Sequence, residues 1–399
     1  MRVTVNGTNS TEIEDSVVER VLDQYPEEEL ATRNVFEEAF SNGTIEFSDL
    51  KEESDKILIP WQMFFLTTAN LNQQLTHIDT VRQHKVSAKL VAKRRGTGDV
   101  TSKRIVDRLI RQQNFLTAPG TFPSNTFCGS LTNVPTKQAA KQILTHFDIS
   151  QDFLWRYRGK GRALEYLIRK VESGNINVSR GVLTNKLLPT WQVVPSDVYR
   201  NTSGFVVKDD CVPFVFLPNE VNPDEVESRQ IYTLVYLIAV IGLGQYDYYL
   251  DKDFKAKMLG ATGMNARLHA ITTELLMPES ETDKLRGQTI TAARRDELAD
   301  TFKVSPSALV ITLCRRGVIT RKQFDALKPP PYVPKKRTNS HTRSPKVSTS
   351  VKKFCGEKSF NAINAGIRTG TLKSIQAQYL IFGAVNKKGY RKYRNELGI

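Results

Sequence analysis

The chain has 399 residues, of which 40% are hydrophobic and 25% are charged, and its formal net charge is +15. This length and composition exclude a fibrous or wholly disordered protein and predict two or three globular domains. The four cysteines lie far apart without a C-x-x-C pair, so neither a disulfide framework nor a cysteine-based zinc site is expected.

The N-terminal residues lack the basic flank and apolar stretch of a secretion signal. The longest run without charge, residues 230–246, is too short and too polar for a membrane span. A cytoplasmic protein without a membrane segment is therefore expected. The chain has no P-loop, no G-x-G-x-x-G and no G-x-S-x-G motif, so no cofactor is expected.

Residues 1–66 predict an acidic helical region, because residues 1–60 hold five basic and fifteen acidic side chains and show apolar positions at helical spacing. Residues 67–135 predict a basic helical connector, since residues 61–115 hold ten basic side chains and three acidic ones. Two interpretations of that connector stay open: contact with nucleic acid, or a helix that lies across its own domain with its cations in water.

Residues 136–327 predict an α+β core in which apolar runs of helical and strand length alternate. The predicted elements are helices over 136–147 and 161–173, strands over 176–178, 204–208 and 212–217, a long apolar helix over 230–249, and helices over 264–276, 296–302 and 306–316. The strands are rich in β-branched and aromatic residues and predict a small sheet. The long helix is apolar on all sides, so it is expected to be buried.

Residues 328–351 predict a disordered basic linker, because they are rich in Pro, Ser, Thr, Lys and Arg and poor in apolar residues. Residues 352–399 predict a small basic C-terminal module with two short helices. Its residues 387–394 interleave basic and aromatic side chains, a pairing that suits phosphates and stacked bases. A solvated basic tail is the alternative. The predicted nucleic-acid contacts are Lys335, Lys336, Arg337, Arg343, Lys352, Lys353, Lys387, Lys388, Arg391, Lys392 and Arg394.

The order of several segments resembles the ImmA/IrrE family of metallopeptidase-like regulators. The segments are ALEYLIRKVESGNINV, SGFVVKDDCVPFVFLPN, ESRQIYTLVYLIAVIGL, the helix end ELLMP, and ELADTFKVSPSALVITLCRRGVIT, and together they extend over residues 163–327. Residues 39–65 look like the back half of an Xre-type helix-turn-helix. The resemblance implies a zincin-like core fused to a degenerate DNA-binding region.

The family's zinc site depends on an H-E-x-x-H motif, in which two histidines one helical turn apart hold the metal and the glutamate activates water. Here the matching positions are Tyr236, Leu237 and Val240. The third ligand position falls on Asn265 or Arg267. Leucine and valine have no lone pair and asparagine is a poor zinc ligand, so the former metal site is interpreted as inactive. A lone His269 is interpreted as a hydrogen-bonded helix residue.

These features predict a pseudo-peptidase that binds DNA and regulates transcription in a prophage or mobile element. Two alternatives stay open: a protein-binding regulator, such as a toxin–antitoxin or anti-phage component that holds a partner in the former peptidase groove, and a metallopeptidase with relocated ligands. The opposite charges of the two chain ends also suggest contact between them, within one molecule or in a dimer.

Overall fold

The computed structural model describes residues 1–7, 9–22, 30–57, 60–87, 98–118, 120–181, 202–218, 226–251, 258, 260–329, 346–383 and 385–399. Over these ranges the protein is a mixed α+β chain, mostly helical, with two small β-sheets. None of the helices described here is long and apolar enough to cross a membrane.

The N-terminal unit is built on a three-stranded sheet. Its strands are β1 (Arg2–Val5), β2 (Asn9–Glu12) and β3 (Thr44–Glu46), in the order β2-β1-β3, with β1 antiparallel to β2 and parallel to β3. Its helices are α1 (Asp15–Leu22), α2 (Leu30–Asn42), α3 (Phe47–Ile57), a 3₁₀ helix (Trp61–Phe65) and α4 (Thr68–Lys85).

The region over residues 1–66, which the sequence predicts as helical, thus also contains a sheet that was not predicted. Among the strand side chains that the structure describes, Val3 of β1 and Ile45 of β3 are buried, at 3% and 5% exposure. Strands of three or four residues with at most one buried side chain each carry too little alternation to be recognised as strands.

The central sheet has the strands β4 (Asn177–Arg180), β5 (Thr202–Val207), β6 (Phe214–Leu217) and β7 (Leu250–Asp251), in the order β4-β6-β5-β7. Strand β4 runs parallel to β6, and β5 runs antiparallel to both β6 and β7. The three runs predicted as strands are confirmed. Their side chains alternate between two apolar clusters, with Val215 and Leu217 on one face and Phe214 and Phe216 on the other. Both faces are buried, so helices must cover both.

Helices over residues 136–327 pack on the first face of the sheet. They are α6 (Thr136–His146), α7 (Phe153–Arg156), α8 (Lys160–Ser173), α9 (Val226–Leu243), α10 (Gly263–Leu276), α11 (Glu279–Asp283), α12 (Ala292–Thr301), α13 (Pro306–Arg315) and α14 (Arg321–Leu327), numbered after the connector helix α5 (Gly98–Thr117). Six of them lie in the places that the sequence predicts; those over residues 153–156, 279–283 and 321–327 were not predicted. Residues 231–241 of α9 are all at most 1% exposed, which confirms the buried helix.

The second face of the sheet is covered by α5 and by four C-terminal helices. These are α15 (Val347–Cys355), α16 (Glu357–Arg368), α17 (Ser374–Phe382) and α18 (Lys387–Leu397). Asn177 Nδ2 of β4 donates to the carbonyl of Cys355 at 2.7 Å, and Glu172 Oε1 accepts from the amide of Glu357 at 2.8 Å. The C-terminal helices thus complete the core.

Two expectations for the C-terminal part change accordingly. Helix α15 begins at Val347, inside the segment 328–351 that the sequence assigned to a disordered linker; residues 330–345 of that segment lie outside the described residues. The module has four helices rather than two, and it shares one apolar cluster with α5 and the sheet. Contacts between residues so far apart in the chain leave no local pattern in the sequence.

The connector helix α5 packs its apolar side against this cluster, where Ile105, Leu109 and Ile110 are buried as the spacing predicts. Arg108 lies on the same side and is 2% exposed, with its guanidinium 5.3 Å from the centre of the Phe354 ring. Burial lowers the pKa of Arg108 to about 9. This part of the connector therefore contributes to the core. The second of the two open interpretations expects such a helix, but it places the cations in water, and Arg108 is instead buried.

Candidate functional site

The residues at the positions that the resemblance assigns to metal ligands lie on two packed helices, α9 and α10. Tyr236 and Asn265 are brought together: the phenol of Tyr236 donates to Asn265 Oδ1 at 2.9 Å. Leu237 and Val240 are fully buried on α9. Tyr236 and Asn265, two of the positions that the resemblance assigns to metal ligands, are therefore in direct contact. Their hydrogen bond satisfies polar atoms that would otherwise face the apolar core.

His269 of α10 joins the same polar group. Its Nδ1 lies 2.8 Å from Tyr232 Oη, within hydrogen-bond distance, and its ring centre is 5.1 Å from that of Tyr236. The expected hydrogen bond of His269 is confirmed. Tyr232 was not predicted as a member of this group, although it lies one helical turn before Tyr236 and therefore on the same side of α9.

The group is buried and neutral at pH 7. His269 is 1% exposed, and burial, followed by the charge of Arg315, lowers its pKa to about 4. Burial also raises the pKa of Tyr232 far above its ordinary value. A neutral imidazole that is hydrogen-bonded to a neutral phenol is a stable arrangement in a core.

The nearest carboxylate on α10 is used elsewhere. Glu274 accepts from Arg316 Nη2 at 2.9 Å and from the amide of Glu279, and the side chains of Glu274 and Arg316 are 15% and 14% exposed. Arg316 also donates to the carbonyl of Met277 and to Thr282 Oγ1 at 2.9 Å. This ion pair joins the end of α10 to the C-terminal end of α13 and is structural.

A loop over residues 125–134 closes the C-terminal end of α9. The amides of Gly129 and Leu131 donate to the carbonyls of Ile241 and Gly242 at 3.0 and 2.7 Å, which satisfies groups that a helix end leaves open. A Cβ at Gly242 would lie 2.5 Å from Leu131 Cδ1, so only glycine permits this approach.

Arg267, the second candidate for a third ligand, holds this loop in place. Its guanidinium donates to the carbonyls of Leu131, Thr132 and Val134 at 2.8 to 3.0 Å. These bonds tie the loop over residues 125–134 to α10. Within the described ranges, no group of three or more His, Cys, Asp or Glu side chains could hold a metal ion.

The predicted nucleic-acid residues fall into two sets. Lys335, Lys336, Arg337 and Arg343 lie outside the described residues. Lys352 and Lys353 are exposed on α15, where Lys352 pairs with Glu357 at 3.0 Å. Partial desolvation of the amine, followed by the charge of Arg180, lowers the pKa of Lys353.

The remaining five predicted cations lie on α18, and we call them the basic face: Lys387, Lys388, Arg391, Lys392 and Arg394, all exposed. The opposite side of α18 is buried through Tyr390 and Tyr393, at 6% and 0% exposure. Tyr393 Oη donates to Asn364 Oδ1 of α16 at 2.6 Å. The helix is thus held by its aromatic side, and its cations point outward.

The positive charges of the basic face are not paired with acidic side chains of the described residues. Of its members, none forms an ion pair with any residue of the described ranges, although Arg394 donates to the carbonyl of Ile399 at 2.8 Å. The one acid of α18, Glu396, accepts from the amide and hydroxyl of Ser348. These bonds and the charge of Lys392 lower the pKa of Glu396 despite some burial.

Searches against protein-family models, curated proteins and solved structures found no match to this chain. The resemblance to the ImmA/IrrE family therefore stays a prediction.

Proposed function

We propose that the protein is a non-catalytic nucleic-acid-binding protein whose basic face contacts the phosphates of duplex DNA. The observation that carries this proposal is the orientation of α18: its aromatic side is fixed in the core, and its exposed cations form no ion pair among the described residues. Such cations bind phosphates and release the counterions of DNA, which is the main source of non-specific affinity.

The closed polar group on α9 and α10 supports the non-catalytic part of the proposal. Its polar atoms bind one another, and Tyr232, Tyr236 and His269 are each 1% exposed. A zincin-like scaffold and a role in transcription of a prophage or mobile element are further proposals that rest on the resemblance. Stoichiometric zinc in the purified protein would contradict the non-catalytic reading and favour relocated ligands.

The test is the salt dependence of affinity for a duplex. For the whole chain, five to eight phosphate contacts would give a slope of log affinity on log salt of about −5 to −7. A variant with Lys387, Lys388, Arg391 and Lys392 all changed to Gln should lose about 3.6 of that slope, since each contact contributes about 0.9.

A matched control changes four exposed lysines of the core domain to Gln. They are Lys137, Lys141, Lys284 and Lys322. This variant removes the same charge, so its slope should fall much less if the basic face is the contact surface. Equal slopes for the two variants would overturn the proposal.

Substitution is the right form of this test, because truncation would damage the fold. Removing residues 328–399 would take away α15 to α18 and uncover Phe205, Phe214 and Phe216 on the sheet. Loss of binding in a truncated chain would then report unfolding rather than lost contacts.

A further inference from the structure

A second surface combines aromatic rings with cations, at the turn from α7 into α8. Its sequence, FLWRYRGKGR over residues 153–162, alternates the two kinds of side chain. Phe153 and Leu154 are buried and anchor the turn in the core, at 1% and 0% exposure. Trp155 follows them and is 40% exposed. An indole exposed to this extent on a fixed turn is a candidate contact for a planar partner.

The rings beside Trp155 are held against helix α8. Measured between ring centres, Tyr157 lies 4.9 Å from Tyr166, and Phe153 stacks on Tyr166 at 5.9 Å. Lys170 Nζ lies 5.8 Å from the Tyr166 ring centre. Tyr157 and Tyr166 are half-buried, so the surface has fixed aromatic members whose outer edges face solvent.

Four acids around this surface already have cationic partners. Ion pairs join Asp152 to Arg156, Asp148 to Lys170, Glu165 to Arg180 and Asp300 to Lys160, at 2.5 to 2.9 Å. Arg158, Arg162 and Arg169 are exposed and have no ion-pair partner in the part of the chain that the structure describes. Glu227 Oε1, 3.7 Å from the position that a Gly161 Cβ would take, marks the acidic edge of the surface.

Three of these residues share one face of α8. Arg162, Tyr166 and Arg169 stand at positions i, i+4 and i+7, which lie above one another on a helix. We define the aromatic–arginine patch as Trp155, Tyr157, Arg158, Arg162, Tyr166 and Arg169.

We propose that the aromatic–arginine patch binds single-stranded nucleic acid. Bases of a single strand are free to stack on exposed rings, and arginines beside them contact the phosphates between bases. A duplex hides its bases, so it would use the cations alone. This proposal is independent of the basic face. The patch lies on α7 and α8, which pack on the first face of the sheet, and it uses stacking as well as charge.

The first experiment measures affinity for a labelled oligothymidylate of 20 nucleotides and for a 20-base-pair duplex, using the whole chain. Changing Trp155 to Ala should weaken single-strand binding about 5- to 150-fold, the range that loss of one stacked base gives. Duplex affinity should change less than about twofold. The variant Arg158→Gln/Arg162→Gln should lower the single-strand salt slope by about 1.4.

The matched control for these charges is Arg294→Gln/Arg321→Gln, which changes two exposed arginines of α12 and α14 that pair with Glu297 and Asp325. The single-strand affinity and salt slope of this control should match those of the unchanged chain. Equal losses in the control and in Arg158→Gln/Arg162→Gln would show that net charge alone matters and would overturn the proposal.

A second readout does not depend on how well the alanine variant folds. The chain has three tryptophans, and stacking of thymine on Trp155 should quench emission when oligothymidylate is added. The variant Trp155→Phe should lose this quenching, whereas Trp61→Phe should keep it. Polyphosphate, which has charge but no bases, should leave the emission unchanged.

Three results would overturn the proposal: no binding of oligothymidylate, unchanged affinity in Trp155→Ala, or quenching that persists in Trp155→Phe. A failure of the basic-face proposal would give a different result. Duplex affinity would be unchanged in the fourfold α18 variant, while saturating oligothymidylate would still quench the emission of Trp155.

Discussion

The polar group on α9 and α10 and the basic face of α18 use their polar atoms in opposite ways. In the first, Tyr232, Tyr236, Asn265 and His269 bind one another and carry no net charge at pH 7. In the second, cations point into solvent from a helix that is anchored by its other side. We therefore expect side chains of the first kind to determine stability. Under the proposed function, those of the second kind determine binding.

The largest expected effect is on the buried side of the comparison. Tyr236 is 1% exposed and is among the largest fully buried side chains. Changing it to Ala should lower the free energy of unfolding by about 3–5 kcal/mol, because a large cavity forms in a close-packed core. Urea unfolding measures this. DNA affinity of the folded fraction should be unchanged, and a loss of less than 1 kcal/mol would show that the core around Tyr236 is loose.

The next effect tests the resemblance itself. A variant with Tyr236→His, Leu237→Glu, Val240→His and Asn265→Glu restores the family's zinc ligands. Because Tyr236 and Asn265 are already in contact, zinc at a hundredfold excess over its dissociation constant should stabilise this variant by about 2.7 kcal/mol.

Its control carries the same type of histidine pair on another side of α9, Val235→His with Ala239→His. This pair lacks the facing residue of α10 and should gain much less from zinc. If both variants respond alike, or neither does, positions 236, 237, 240 and 265 do not correspond to a metal site.

The third effect is a pH dependence that comes from His269. Its pKa is about 4 in the folded chain against 6.5 for the ordinary group, so the unfolded chain binds the proton more readily. Stability is therefore complete above pH 6.5 and falls as the pH drops toward 4. Between pH 7.5 and 5 the loss should be about 2 kcal/mol. His269→Gln, which keeps a hydrogen-bonding group, should show a correspondingly flatter profile, and identical profiles would contradict this assignment.

The smallest effect on stability belongs to the basic face. Lys388→Gln should change the free energy of unfolding by less than about 0.5 kcal/mol, as is usual for exposed residues. It should nevertheless lower the duplex salt slope by about 0.9. A large loss of stability would mean that Lys388 supports the fold, and the separation between the two regions would fail.

Much of the core fold could be predicted from the sequence. The apolar run that became α9 is too long for a strand, and the β-branched and aromatic runs of β5 and β6 are too short for an ordinary helix. Pro278 ends α10 where expected, since a proline cannot continue a helix.

The docking of the C-terminal helices could not be predicted. Its polar contacts join Asn177 to Cys355 and Glu172 to Glu357, and each pair is separated by almost half the chain. The burial of Arg108 could not be predicted either. A charged residue in a basic stretch is normally assigned to solvent, whereas Arg108 is 2% exposed.

The two candidate binding surfaces differ in how readily they could be recognised from the sequence. The cations of α18 were recognised from their spacing, while Trp155 and the arginines around it were passed over. The alternation of rings and cations in residues 153–162 was present in the sequence. Only the exposure of Trp155 and the pairing of the neighbouring acids distinguish this run from an ordinary charged turn.

The position of α15 to α18 on the second face of the sheet has a consequence during synthesis. A nascent chain leaves the ribosome from its N-terminus, so Phe205, Phe214 and Phe216 emerge long before the helices that cover them. Until residues 347–393 are made, this aromatic surface lacks the cover of α15 to α18 and is open to chaperones or to aggregation.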